Sequence, residues 1–399
     1  MKFYVIFFGL FLATSLCQAQ NTTKDTLLQH YYQYPQEALE TAAAMYETAQ
    51  SEHNTPLLIK SLILKTTFSL QINQEDYPQI LKELEAYTQQ EKDIPAKCIL
   101  HSYLGELYLK YYHQHQYNIR ERKALQGEIP EHITEWSSNL FQEKILNHFS
   151  ASLLPQKILQ QTPVNTYQAI LIHGDASDSL RPTLYDFLSH RAIKCLNDNR
   201  YDFPAPYPNE NANVLGDLQD FLQIPVSPSS LDAQSHILKF WQELLRFRCK
   251  AQQENALLMA DLERLNYSYT ISGRIDKDSL YLQTLANMRK KYANTPLVVE
   301  VIAKEAYFLL YGLVKTDLRY FQHLSKDISG NNREKALLLC QSGIKQFPEY
   351  NRTNQLRNLL RYIQAPELQI ESPQQLYPGE KLPIKISFRA LSHINIQFT

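Results

Sequence analysis

From Asn21 to about Gln364, apolar side chains recur every three to four positions, a period that restricts the chain to amphipathic helices packed side by side. Pro35-Gln36-Glu37-Ala38-Leu39-Glu40 opens one helix with proline in its first turn, where the missing N–H costs nothing. Ala38, Ala42, Met45 and Ala49 carry its inner face. After the break at His53-Asn54-Thr55-Pro56 a second helix presents Leu57, Ile59, Leu62, Leu64 and Phe68, capped by Asn54 or Thr55. Two helices joined by a few polar residues read as a helical hairpin. Only 10 glycines occur in 399 residues, which disfavours tight hairpins and phosphate-cradling loops and suits long helices with short connections.

The same arrangement returns later. Thr295-Pro296 opens a run through Val298, Val301, Ile302, Ala306 and Leu309. Ala336 to Pro348 resembles the second half of a tetratricopeptide unit, where small residues let helices approach and a proline closes the unit. The expected fold is mainly α: a tetratricopeptide-like, α-solenoid stack of helical hairpins without a fixed period. One long helix is expected from about Leu231 to Asn266, with Ile237, Trp241, Leu244, Ala251, Leu258, Leu262 and Leu265 along one face.

Punctuation divides the chain. Residues 1–19 read as a signal peptide: Lys2 precedes an apolar run, and Cys17-Gln18-Ala19 places small residues where a signal peptidase cuts, after Ala19. That run is shorter than the ~20 residues a bilayer span needs. Residues 20–200 form an N-terminal helical domain. Residues 201–230, rich in proline from Pro204 to Pro228, read as an extended surface linker or insertion. Residues 231–364 are a second, repeat-like helical region. From 365 to 399 the period switches to alternation, with strands at Leu368–Glu371, Leu382–Phe388 and Ile394–Phe398 and a turn at Pro378-Gly379. Three strands with one apolar face make an unfinished sandwich with an open edge. The chain is accordingly expected to be a fragment, or to complete its sheet on a partner.

Composition excludes some partners. Forty basic residues against 41 acidic leave a formal net charge of −1, so neither nucleic acid nor an anionic membrane is expected to bind. Cys98, Cys195, Cys249 and Cys340 match no zinc spacing and sit in apolar helical contexts, as small buried hydrophobes do.

Residue types that carry chemistry elsewhere lack their usual context here. Cys249-Lys250-Ala251-Gln252 has a thioester's cysteine and glutamine, but within a helical run without adjacent glycine. His113 and His115, two apart on a helix, face different ways and cannot share a metal ion. Asp175, Ser177, Ser179 and Asp186 fall at calcium-loop positions, yet Leu180 stands where glycine is required. A capped turn, with Asp178 or Ser179 before Pro182, accounts for them. Ser189-His190 with Asp186 lacks a nucleophile elbow. Glu128, Glu131, Glu135 and Glu143 serve as solvated or helix-dipole carboxylates. No catalytic, cofactor-binding, metal or thioester residue is expected, and the chain is not expected to be an enzyme.

Three passages together resemble the N-terminal region of large bacterial alpha-2-macroglobulin-like proteins. They are Ile129–Ser137, Leu180–Ala192, and the exit from Phe347-Pro348 into Pro366–Pro373. The resemblance implies a helical lead-in followed by the first macroglobulin-type β-sandwich, in an exported protease inhibitor that traps its target after bait cleavage. No cysteine here begins that family's thioester motif, so no functional residue carries over. The implied role is a non-catalytic structural or docking module, periplasmic, cell-surface or secreted. Its partners would be downstream macroglobulin domains or another protein, with proteases engaged by the full-length molecule. Two other readings of the residues are a free-standing helical-repeat scaffold for a protein or peptide, and a glycan binder using Tyr201, Phe203 and Tyr207.

Overall fold

The computed structural model describes residues 33–122, 129–171, 177–204, 208–229, 231–312, 330–372, 384–389, 391, 393–395 and 397. In chain order the helices are α1 (Pro35–Ser51), α2 (Thr55–Ile72), α3 (Tyr77–Gln90), α4 (Ile94–Arg120), α5 (Ser138–Ala151), α6 (Gln156–Gln161), α7 (Ser177–Leu180) and α8 (Leu184–Asp198). There follow α9 (Leu218–Leu222), α10 (Ala233–Ala251), α11 (Glu254–Ile271), α12 (Lys277–Lys291), α13 (Val298–Tyr311), α14 (Gly330–Gln346) and α15 (Asn354–Gln364). Two strands, β1 (Glu367–Glu371) and β2 (Lys385–Arg389), form a small antiparallel sheet. The protein is therefore mainly helical with a short β segment at its C-terminal end. The proposed signal peptide lies outside the described residues.

The chain folds as two compact units, 1–207 with 224–260, and 208–223 with 261–399. In the first, α1 packs on α2, α4 on α5 and α8 on α10. Asn54 caps α2 as its side chain predicts, accepting a hydrogen bond from Leu57 N at 3.2 Å. Ala38, Ala42, Leu64 and Phe68 form one buried cluster, with Leu39 and Met45 against it. Gly105 lets α4 approach the Phe149 ring, where an added Cβ would lie 3.2 Å from three ring carbons.

In the second unit, α13 packs on α12 and α14, and α14 on α15. Glu300, 3% exposed on α13, accepts hydrogen bonds from Tyr350 Oη at 3.1 Å, Arg352 Nη2 at 3.0 Å and Gln355 Nε2 at 3.0 Å. A buried carboxylate so surrounded ties the turn before α15 to the core. Gly343 allows close approach of α14 and α15: a Cβ there would meet Leu356 Cδ1 at 2.6 Å and Ile302 Cδ1 at 3.1 Å. Gly343→Val is expected to cost about 1–3 kcal/mol by overpacking, measured as a lower urea midpoint of the second unit.

Three expectations are corrected. The single long helix is two, α10 and α11, because Gln252 turns into the left-handed region at φ 53°, ψ 31°. Residues 250–255 are all exposed, so no burial carries the helix through that stretch. The proline-rich segment is not simply extended surface chain. It holds the turn Ala212–Val214 and helix α9, and buries Val214, Leu215 and Phe221. Their apolar side chains outweigh the prolines on either side. Finally, the cap of α8 is Thr183 instead of Asp178 or Ser179, and it makes a reciprocal capping box with Asp186.

Candidate docking surface and polar cluster

The two strands pair Leu368 with Phe388 and Ile370 with Ile386, while Gln369 pairs with Ser387 and Glu371 with Lys385. Alternation puts Leu368, Ile370, Ile386 and Phe388 on one face and the polar residues on the other. On the polar face Lys385 Nζ lies 3.3 Å from Glu371 Oε2, and Gln369 Nε2 donates to Glu367 Oε1 at 3.1 Å. Among the described residues little covers the apolar face: Leu368 is 46%, Ile370 62% and Phe388 60% exposed. Each such side chain gains about 1.5–3 kcal/mol when removed from water. An isolated two-stranded hairpin is marginal in water, so this face needs something to pack on. The third expected strand is not present among its described residues, Ile394, Asn395 and Gln397. Leu382, Pro383, Ile396, Phe398 and the turn at Pro378-Gly379 lie outside the described residues.

A second cluster joins three helices of the first unit. His148 Nε2 on α5 lies 3.0 Å from Glu85 Oε1 on α3, and His148 Nδ1 lies 3.0 Å from His101 Nδ1 on α4. Lys144 Nζ completes it, 2.7 Å from Glu85 Oε1. The His148 ring stacks on Tyr108, which stacks in turn on Trp136. Burial opposes the Glu85 charge, but hydrogen bonds from His148 and Lys144 overcome it and hold the carboxyl down to about 2. Burial, then the neighbouring His148 and Lys97 charges, pushes His101 down to about 4. Burial also lowers His148, against the hydrogen bond to Glu85. A cavity of about 240 Å³ opens beside them, lined also by Gln89, Leu104 and Asn147. The set can hold and share protons.

The residues singled out in the sequence are dispersed. His113 Nε2 lies 2.7 Å from Asn199 Oδ1 and 2.8 Å from Asp202 Oδ2, while the His115 ring lies tilted against Tyr111 with ring centroids 4.4 Å apart. Their partners differ, as opposite helix faces require. Asp175 lies outside the described residues, Ser179 is exposed, and Asp186 is buried in the α8 cap with Arg248. His190 Nδ1 meets the Asp186 carbonyl oxygen at 2.8 Å and not its carboxylate. Glu131 reaches Lys82 at 3.5 Å, Glu135 and Glu143 are exposed, and Glu128 lies outside the described residues. Tyr201 is 78% exposed beside Arg200, but Phe203 is buried and Tyr207 lies outside the described residues, so no exposed aromatic cluster is described. Cys98, Cys195 and Cys340 are buried, and Cys249 is half-buried.

Sequence reasoning missed Glu85, His101 and His148. Their spacing fits no motif, and the available signal was a histidine on the inward face of each of two apolar helices. Among the described residues no group of three or more His, Cys, Asp and Glu side chains is placed to hold a metal, and no helix is long and apolar enough to cross a membrane. Comparison with family models, curated proteins and solved structures finds no match to this chain. Fold and surface together define a mainly helical protein with a small antiparallel sheet, one face of which exposes Leu368, Ile370 and Phe388 among the described residues.

Proposed function

We propose that this chain is a non-catalytic docking module whose helices carry a β-hairpin that packs, through Leu368, Ile370, Ile386 and Phe388, on the apolar face of another β-sheet. The observation that carries the reading is the solvent exposure of Leu368, Ile370 and Phe388 on one side of a paired sheet. The other side is polar, so only one face demands a partner. On the resemblance to alpha-2-macroglobulin-like proteins, the occupant is a macroglobulin-type β-sandwich, and the helical body sets its position within a protease-trapping molecule. The helix pairs α1–α2, α4–α5 and α13–α14 are then degenerate tetratricopeptide-like hairpins.

The same reading places the module outside the cytoplasm, with its leader cleaved after Ala19. Its buried thiols suit an oxidising compartment. Burial raises Cys98 and Cys340 to about 12 and Cys195 to about 11, so little of the reactive thiolate forms at neutral pH.

A photoactivatable side chain at position 388, introduced in the producing cells, tests the docking. The expected adduct contains a β-sandwich peptide, on this polypeptide or a second one. Ile370→Asp, read with the same cross-linker in place, is expected to cut the yield at least tenfold, since about 1.5–3 kcal/mol of burial is lost. The helical circular dichroism should not change. Adducts confined to lipid or to this chain's own helices would refute the proposal, as would a yield indifferent to aspartate.

A further inference from the structure

We propose that Glu85, His148 and His101 form an acid-released latch, in which Glu85 on α3 orients His148 and the His148–His101 hydrogen bond fastens α5 to α4 at neutral pH and lets go when both imidazoles are protonated. Glu85, as a carboxylate, can only accept, so His148 Nε2 carries a hydrogen and donates at 3.0 Å. In neutral His148 this leaves Nδ1 bare, and His101 Nδ1–H fills the 3.0 Å gap as donor. The ring centroids stand 5.2 Å apart, so the imidazoles meet nearly head-on, an arrangement suited to one shared hydrogen and not to a chelated ion. One continuous chain of hydrogen bonds thus runs from α3 through α5 to α4.

A single added proton is tolerated, because one imidazolium can still donate to the other ring. A second cannot be placed without setting an N–H against an N–H. The surrounding charges add to that conflict. α3 contributes one carboxylate, Glu85, with Thr88 and Gln89 uncharged beside it. α5 contributes the Lys144 ammonium and neutral Asn147, and α4 contributes Lys97 and the Tyr108 hydroxyl. Two imidazolium ions would therefore face two ammonium groups with only Glu85 to offset them.

The sign follows from where the protons bind. Both histidines take up protons less readily in the fold than their ordinary value near 6.5. Acid consequently favours the open arrangement. The contact is whole above about pH 6.5 and weakens as pH falls toward about 4, where His101 titrates in the fold. Lys144 and the stacked Tyr108 and Trp136 rings hold the site on its far side, so release is a local opening of helices and not a change in their helicity.

Amide exchange at pH 7 and pH 4, corrected for intrinsic rates, provides the test on the whole chain. Peptides from α4 and α5 should lose protection at least tenfold at pH 4, whereas α10 should keep its protection. His101→Gln keeps a hydrogen-bonding side chain but cannot titrate, and it should abolish that difference. An equal loss in His101→Gln would overturn the proposal. For a variant that does not fold, nitrogen-15 histidine labelling of the unmodified chain decides the matter. A through-hydrogen-bond coupling between the two Nδ1 atoms is expected at pH 7 and should vanish at pH 4. No coupling at pH 7, or its survival at pH 4, would sink the latch.

Discussion

Asp186→Ala is expected to remove about 3–5 kcal/mol from the stability of the first unit, the cost of leaving one member of a buried ion pair alone. Asp186 is 1% exposed and Arg248 is 0% exposed. The carboxylate accepts from Arg248 Nε at 2.6 Å and from Arg248 Nη2, and it also takes Thr183 N at 2.9 Å and Thr183 Oγ1 at 2.7 Å. One side chain thus supplies the reciprocal half of the α8 capping box and neutralises a fully buried guanidinium. Its removal loses that half of the capping box and strands the charge of α10. Because the desolvation penalty belongs to the charge, Asp186→Leu combined with Arg248→Met should recover most of the loss. Both tryptophans of the chain, Trp136 and Trp241, lie in the first unit, so fluorescence during urea unfolding reports on that unit alone. A loss under about 1 kcal/mol, or a double variant no better than Asp186→Ala, would show that the pair does not hold this core.

This pair also shows where sequence reading reaches and where it stops. The helices were legible because their signals are local: Pro35 at a first turn, Asn54 as a cap, and apolar residues at helical spacing. The switch to alternation after Ala365 was legible for the same reason, and it located β1 and β2. Asp186 itself invited two readings, calcium ligand and triad acid, because its partner Arg248 stands 62 residues away and leaves no local trace. The Glu85–His148–His101 chain was hidden likewise by separations of 63 and 47 residues. The helix break at Gln252 was missed for a subtler reason. The apolar period resumes in phase after the exposed stretch, and periodicity does not report the polar gap that lets the backbone turn. Proline density misled between Pro204 and Pro228, because a buried Phe221 and Leu215 matter more to that segment than the residues that bound it.

Arg264 is what turns that proline-flanked segment into part of the second unit, and Arg264→Leu is expected to release it. The guanidinium is 0% exposed and donates to the Val214 and Gly216 carbonyl oxygens, each at 3.1 Å, from Nη1. Its Nε bonds Asp261 Oδ1 at 2.9 Å, and its carbon lies 4.8 Å from the centre of the Phe221 ring. No other side-chain type combines that planar fork with a face that stacks on an aromatic ring. Leucine fills much of the volume but leaves Asp261, 6% exposed, as an unpaired carboxylate and two carbonyl oxygens without donors. The cost is about 3–5 kcal/mol from the stranded charge, with each orphaned carbonyl adding about 1–3 kcal/mol unless water reaches it. Water reaches it most cheaply if residues 208–223 peel away, so the loss should appear as local opening before global unfolding. Limited proteolysis should cut between Pro208 and Gln223 at least tenfold faster in Arg264→Leu than in the parent chain. Arg264→Lys should restore only part of the resistance, since one ammonium cannot serve both carbonyls, Asp261 and the Phe221 face together. Cleavage at the parental rate in Arg264→Leu would mean that Val214, Leu215 and Phe221 hold the segment by burial alone.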